Sequence, residues 1–248
     1  KGPVLVSALK RLGRSAKDFG ETAYKLALGG CPLIKDEHSL FNQSYAPFKD
    51  RVKACVDSVN NANAKTGGRS LYIANCTADS MEFLERAMTA QELGAGGIMA
   101  APGLLGLSII RELSSAPDFH LPIFFHPSFS GPLVLSADSG ISPFCCYGQF
   151  SRLAGADAAI FTSFGGRFPF TEEVCRKICD GTETEMGGLR SIFPVPSGGM
   201  KWQLFKKMVQ VYGPDAIFLV GGALLTESDD LTANMHFYFE KLNEAVNK

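Results

Sequence analysis

With 248 residues the chain is near the usual size of one (β/α)8 domain, and at 46% hydrophobic and 20% charged it can bury a large core and has no disordered composition. A formal net charge of −1 leaves no basic excess to neutralise phosphates, which argues against a nucleic-acid or membrane-surface partner. There is no uninterrupted apolar stretch of about 18 residues and no signal-peptide pattern, so a soluble protein is expected, cytoplasmic or, in a eukaryote, in an organelle stroma.

Along the chain, apolar runs of strand length alternate with amphipathic stretches of helix length. The sequence opens at Lys1 rather than Met, and the first run, 3–9, begins almost at once; this reads as an excised or truncated domain. Ser15 precedes the first helix, 31–37 is the second strand, and Pro47 opens the second helix. Strand 70–77 follows, and Asp79-Ser80-Met81-Glu82 caps the third helix. Runs 97–101, 121–126 and 158–163 come next, and Thr171-Glu172-Glu173 opens the sixth helix. Runs 191–196 and 216–220 complete the eight strands, and the amphipathic stretch 231–246 closes the ring. Gly67, Gly94, Gly155 and Gly213 fall just after helices, where a left-handed cap is wanted. The runs are continuously apolar, as in Ile217-Phe218-Leu219-Val220, which strands buried on both faces require. Eight such units predict an α/β chain forming a single (β/α)8 (TIM) barrel over residues 1–248, because an open sheet rarely has eight parallel strands in a row.

Seven cysteines, an odd number scattered through apolar segments, point to free thiols in a reducing, intracellular compartment. Cys31, Cys55 and Cys76 read as core, and Cys145 and Cys146 are adjacent. Cys175 and Cys179 sit four apart on a helix, with no Cys-x-x-Cys and no nearby His to make a metal site.

In a barrel, residues at strand C-termini face the active site. Lys10 ends strand 1 and is either a surface lysine or a functional group in the mouth. Lys35-Asp36-Glu37-His38 ends strand 2, with Lys35 and Glu37 on one face by the period of two. These groups form either a solvated strand end or a metal or acid/base centre, since unpaired burial would be costly. His126 ends strand 5, as a structural histidine or an acid/base group. Two glycine turns, Ser197-Gly198-Gly199 and Gly221-Gly222, follow strands 7 and 8, where this fold usually binds phosphate on bare N–H groups. Gly165-Gly166-Arg167 after strand 6 has the hinge glycines and the cation of a mobile lid.

On these residues the chain resembles the catalytic barrel of the ribulose bisphosphate carboxylase large subunit and, more closely, the RuBisCO-like proteins, a branch that does not fix carbon. The matching stretches run in family order: Ala8-Leu9-Lys10, Leu12-Gly13-Arg14-Ser15-Ala16-Lys17, Gly29-Gly30 through Ile34-Lys35-Asp36-Glu37-His38, Pro47-Phe48-Lys49-Asp50-Arg51-Val52, Arg152-Leu153-Ala154-Gly155-Ala156-Asp157, Pro194-Val195-Pro196-Ser197-Gly198-Gly199 and Val220-Gly221-Gly222. The family's small N-terminal α/β domain is absent from this chain.

The resemblance implies that CO2 converts Lys35 to a carbamate, an oxygen ligand suited to Mg2+, beside Glu37 and His38. It implies acid/base work for Lys10, a sugar contact for His126, a substrate phosphate held by Ser197, Gly199, Gly221 and Gly222, and a homodimer whose partner helps complete the site. The departures are informative. His38 stands where the family has a carboxylate, which favours other divalent metals over Mg2+. Pro127 replaces the arginine that grips a second phosphate in carboxylases, Lys10-Arg11 shortens a lysine-proline-lysine motif, and Arg167 is the nearest cation to the loop 6 lysine. Together these imply metal-dependent enolisation of a phosphorylated keto-sugar or its methylthio analogue, an isomerase or tautomerase, and not carboxylation. A decarboxylase of a keto sugar acid (a lyase) and a catalytically silent barrel that binds a phosphorylated ligand are the alternatives.

Overall fold

Every expected apolar run becomes a strand: β1 (Val4–Ala8), β2 (Leu33–Lys35), β3 (Leu71–Asn75), β4 (Gly97–Ala100), β5 (Ile123–Phe125), β6 (Ala158–Thr162), β7 (Phe193–Ser197) and β8 (Ile217–Val220). The coordinates are a computed structural model that describes residues 2–136, 138–166 and 168–247. Some expected runs are longer than the strands because ladder geometry continues past the regular pairing. The Asp36 N–H still donates to Ile73 O at 3.0 Å, and the His126 N–H to Ala100 O at 2.8 Å.

The strands are all parallel in the order β7-β6-β5-β4-β3-β2-β1-β8, and β7 and β8 lie against each other, bringing the sheet nearly round into a barrel. Among the described residues one main helix follows each strand, besides short helical turns such as Pro102–Leu105 and Gly131–Val134: α1 (Ala16–Leu28), α2 (Phe48–Thr66), α3 (Ser80–Glu92), α4 (Leu107–Ser115), α5, α6 (Glu172–Glu183), α7 (Phe205–Tyr212) and α8 (Leu231–Val246). α5 is a π-helical stretch, Phe144–Gln149, that runs into the α-helical turn Phe150–Leu153. The expected caps form: Ser15 makes a full capping box with Asp18, and Asp79 and Thr171 each accept the N3 N–H of their helix. Gly67, Gly94, Gly155 and Gly213 all have positive φ.

Burial divides into two compartments. Val6, Ile73, Met99, Phe124, Ile160, Val195 and Ile217 fill the barrel interior and form the floor under its mouth. A larger shell, including Phe19, Val52, Phe83, Ile110, Ile178, Phe205 and Tyr238, packs the helices onto the strands. Alternation along each strand therefore sends one set of side chains into the helix shell and the other up the barrel axis. Ala8, Lys35 and Ile73 are in register across β1, β2 and β3, so Lys35 sits beside the floor of the mouth. Among the described residues no helix is long and apolar enough to cross a membrane.

Candidate active site

A cleft of about 370 Å³ opens at the carboxyl ends of the strands, and Lys10, Lys35, Glu37, His38 and His126 all line it. Lys35 and Glu37 point inward together, as the period of two requires. Asp36 points the other way, into the helix shell, and is no part of the cleft. Its Oδ2 accepts from Arg51 Nε at 3.2 Å and from the Asn75 N–H at 3.0 Å, and its Oδ1 accepts from the Tyr72 hydroxyl at 2.7 Å. Asn75 Nδ2 donates to His38 O at 2.9 Å and Leu40 O at 3.1 Å, which fixes the turn that carries His38.

Within the cleft Lys35 is 2% exposed and donates from Nζ to the Asp36 carbonyl at 2.6 Å. Burial pulls the lysine down to about 8, although Glu37 and Asp36 oppose the shift. Glu37 accepts from Lys10 Nζ at 3.2 Å through Oε2 and pairs with His38 Nδ1 through Oε1. Burial alone would raise this carboxyl, but the His38 hydrogen bond and the charges of Lys35 and Lys10 hold it at about 2. The His38 and His126 rings stack with centroids 4.5 Å apart and planes 12° apart. Burial, then the charges of Lys35 and His38, push His126 well down, so it is a neutral imidazole.

Its tautomer follows from hydrogen bonding. The Ser128 N–H, which can only donate, lies 3.2 Å from His126 Nδ1, and Ser128 Oγ lies 2.8 Å from the same atom. Nδ1 is therefore an acceptor, and the proton sits on Nε2.

Of the two glycine turns, the one at the end of β7 borders the same cleft through Ser197 and Gly198, whereas Gly199, Gly221 and Gly222 are not among its lining residues. Ser197 closes β7 rather than following it, and its hydroxyl donates to Phe161 O at 2.8 Å. Gly198 and Gly199 have φ of 87° and 98°, a conformation cheap only for glycine. At Gly221 a Cβ would lie 3.0 Å from Lys10 Cε, whereas at Gly222 it would meet open space. Gly222 opens the helical turn Gly222–Leu225, whose first N–H groups have no acceptor within the helix. In the loop expected to act as a lid, Gly165 has φ 69°, and a Cβ on Gly166 would collide with the Gly198 carbonyl. Close approach to the β7 loop is thus one reason for glycine at Gly166; Arg167 lies outside the described residues.

The family model for the ribulose bisphosphate carboxylase large chain, catalytic domain, matches residues 2–233. The chain belongs to this family. It is 36% identical over 230 residues to a 5-methylthioribulose-1-phosphate isomerase of Rhodospirillum rubrum, covering 91% of this chain and 59% of that protein. It is 34% identical over 223 residues to a 2,3-diketo-5-methylthiopentyl-1-phosphate enolase of Geobacillus thermodenitrificans, covering 90% of this chain and 54% of the relative. A rubisco-like protein from Alicyclobacillus acidocaldarius superposes with a TM-score of 0.91 at 29% identity, covering all of this chain and 65% of that one. The chain thus spans between half and two thirds of the length of these relatives.

Several residues of the site escaped the sequence reading. Tyr147 lines the cleft from α5, where its hydroxyl lies 2.8 Å from Ser130 Oγ. α5 can lie so close because Gly148 meets Gly181 of α6: a Cβ on Gly148 would be 2.6 Å from the Gly181 Cα. The only sequence signal was a glycine in each of two helical stretches far apart in the chain. Phe168, Pro169 and Phe170 also line the cleft, just past the glycines of the β6 loop.

Among the described residues no group of three or more His, Cys, Asp and Glu side chains is arranged to hold a metal. Glu37 and His38 are two donors of the kind a divalent ion takes, and Lys35 lines the same cleft beside them. A buried amine that gives up its proton near 8 is suited to carbamylation, since only the neutral amine reacts with CO2.

Proposed function

We propose that the chain forms the catalytic barrel of an enzyme that enolises a phosphorylated keto-sugar or its methylthio analogue, with an isomerase or tautomerase outcome and without carbon fixation. The observation that carries this reading is the gathering of Lys10, Lys35, Glu37, His38 and His126 in one cleft whose other edge is formed by the Ser197-Gly198 turn. The names of the relatives, an isomerase and an enolase acting on methylthio sugar phosphates, support the same reaction class.

In this reading the Lys35 ammonium first gives up one proton, and the neutral amine then forms an N–C bond to CO2 and releases a second proton to solvent, which exchanges a cation for an anionic oxygen donor. The carbamate, Glu37 and His38 would hold a divalent ion, Mg2+ or, given the imidazole, a more nitrogen-tolerant metal. Such an ion supplies Lewis-acid polarisation of a carbonyl. The backbone N–H groups around Gly198, Gly199, Gly221 and Gly222 orient the substrate by its phosphate. His126 presents Nε2–H to a substrate oxygen, and Lys10 Nζ, released from Glu37, exchanges the proton of the adjacent carbon. Pro127 and the aromatic residues of the β6 loop offer the far end of the substrate no anion-binding group. The resemblance also implies a homodimer as the working form.

Incubation with phosphorylated ketoses and Mg2+ or Mn2+ in D2O tests the proposal. Deuterium incorporation next to the carbonyl, lost in Lys10→Met or His126→Ala, is the expected result. No exchange with any phosphorylated ketose, including the methylthio sugars, would overturn it.

A further inference from the structure

Directly after β5 the chain turns back on itself within a few residues. His126 is still held in the ladder, and Pro127 O accepts from both the N–H and the hydroxyl of Ser130, at 3.2 and 2.6 Å. Inside that turn Phe129 has φ 66°, a left-handed conformation that a bulky residue rarely adopts. Phe129 is 70% exposed, so burial of its ring does not offset the strain. The β4 loop makes room for the turn, since a Cβ on Gly103 would lie 2.5 Å from Ser128 O. The result of this strained turn is a placement: Ser128 folds back on the His126 ring, its N–H 3.2 Å and its Oγ 2.8 Å from Nδ1. Because the N–H obliges Nδ1 to accept, the hydroxyl that meets the same lone pair must donate too. Two donors therefore converge on one ring atom, while the ring itself stacks on His38. Strained backbone whose own side chain gains little is a mark of a working site.

We infer that Ser128 is a positioning residue, which clamps His126 at Nδ1 so that Nε2 keeps its proton for a substrate oxygen. The inference rests on the reading of the cleft as an enolising site, and it divides the labour there. An imidazole with Nδ1 spent on Ser128 and a proton on Nε2 has no lone pair left to take a proton from carbon. An imidazolium would bring Nδ1–H against the Ser128 N–H, so the clamp also disfavours the doubly protonated ring. His126 is thus a hydrogen-bond donor throughout, and the base is Lys10 in its neutral form. In the step itself the C–H bond breaks and its electron pair becomes the C=C bond. The carbonyl π pair moves onto oxygen beside Nε2–H, and the Lys10 amine takes the proton.

Two variants isolate the hydroxyl: Ser128→Ala removes it, and Ser128→Thr keeps it. Long-range proton–nitrogen NMR of the labelled chain, without metal or ligand and at one fixed pH, reads the ring directly. The parent should carry the His126 proton on Nε2. The Nδ1 resonance should move toward the value of an unbonded ring nitrogen in Ser128→Ala and stay in place in Ser128→Thr. Deuterium exchange into 5-methylthioribulose 1-phosphate, with Mg2+ and bicarbonate present, reads the consequence. In Ser128→Ala kcat should fall about tenfold to a hundredfold, as expected for loss of a partner that orients a reacting group. KM should be nearly unchanged, because the contact matters most as charge develops, and Ser128→Thr should restore kcat. A proton on Nδ1 in the parent, or a folded Ser128→Ala variant with the parent's kcat, would overturn the inference. If the parent exchanges no deuterium, the proposed enolisation falls, and the Nδ1 resonances alone still decide whether Ser128 clamps the ring.

Discussion

Asp36 and Glu37 are neighbours in the chain, yet they live under opposite rules. Asp36 faces the helix shell, where Arg51, Tyr72 and the Asn75 N–H hold both its oxygens, and the Arg51 guanidinium also donates to Ala46 O, Phe41 O and Leu40 O at 3.1, 3.1 and 3.3 Å. Glu37 faces the cleft, and its partners Lys10 and His38 have side chains 36% and 44% exposed. The outward network is closed: each charge is spent on protein groups, and a ligand could gain nothing there. The inward network is open, because its partners can turn to water or to a substrate. A buried charge thus marks a frame when its partners are buried too, and a working site when they border solvent.

The largest effect of breaking this contrast is expected at Arg51. Arg51→Ala leaves the Asp36 carboxylate buried without its cation, and loss of about 3–5 kcal/mol is expected from denaturant unfolding. A change below about 1 kcal/mol would mean that Asp36 is not held as described.

On the inward side the effect is one of pH. The folded Lys35 titrates near 8, below its ordinary 10.5, so the folded chain releases this proton first. Between those values the unfolded chain binds more protons, and stability rises with pH; below about 8 this lysine contributes no slope. Urea midpoints compared between the parent and Lys35→Met across pH 7 to 10 should therefore converge as pH rises, with a difference of at most about 3 kcal/mol. Parallel curves would place the lysine in water.

A smaller effect is expected at the glycine turns. Gly221 is a poor place to test anion binding, because a side chain there strikes Lys10, but Gly222 has open space. Gly222→Asp should fold normally and lose the stabilisation by phosphate, which in the parent amounts to about 2.7 kcal/mol at a hundredfold excess over Kd. Equal protection in the variant would remove Gly222 from the phosphate site.

The same contrast explains what was legible in the sequence. Eight continuous apolar runs and their caps were readable because each depends on residues close in the chain, and Lys35, Glu37 and His126 were readable because strand ends in a barrel converge. Alternation also implied that Asp36 faces away from Lys35. Its partner was not readable, because Arg51 lies on the next helix and looks in sequence like any charged helical residue. The close packing of α5 on α6 was hidden for a similar reason: it needs Gly148 to meet Gly181, an approach that no local pattern encodes. Strand ends were overestimated because ladder hydrogen bonds and burial continue past the regular pairing.

In the proposed function the inward face of this strand end becomes a metal centre through Lys35. Calorimetric titration with Mn2+, with and without bicarbonate at several pH values, tests it most directly. Affinity should rise with bicarbonate and with pH through about 8, Lys35→Ala should be blind to both, and Lys35→Glu should recover part of the affinity. Metal affinity in the parent chain that is indifferent to bicarbonate would contradict it.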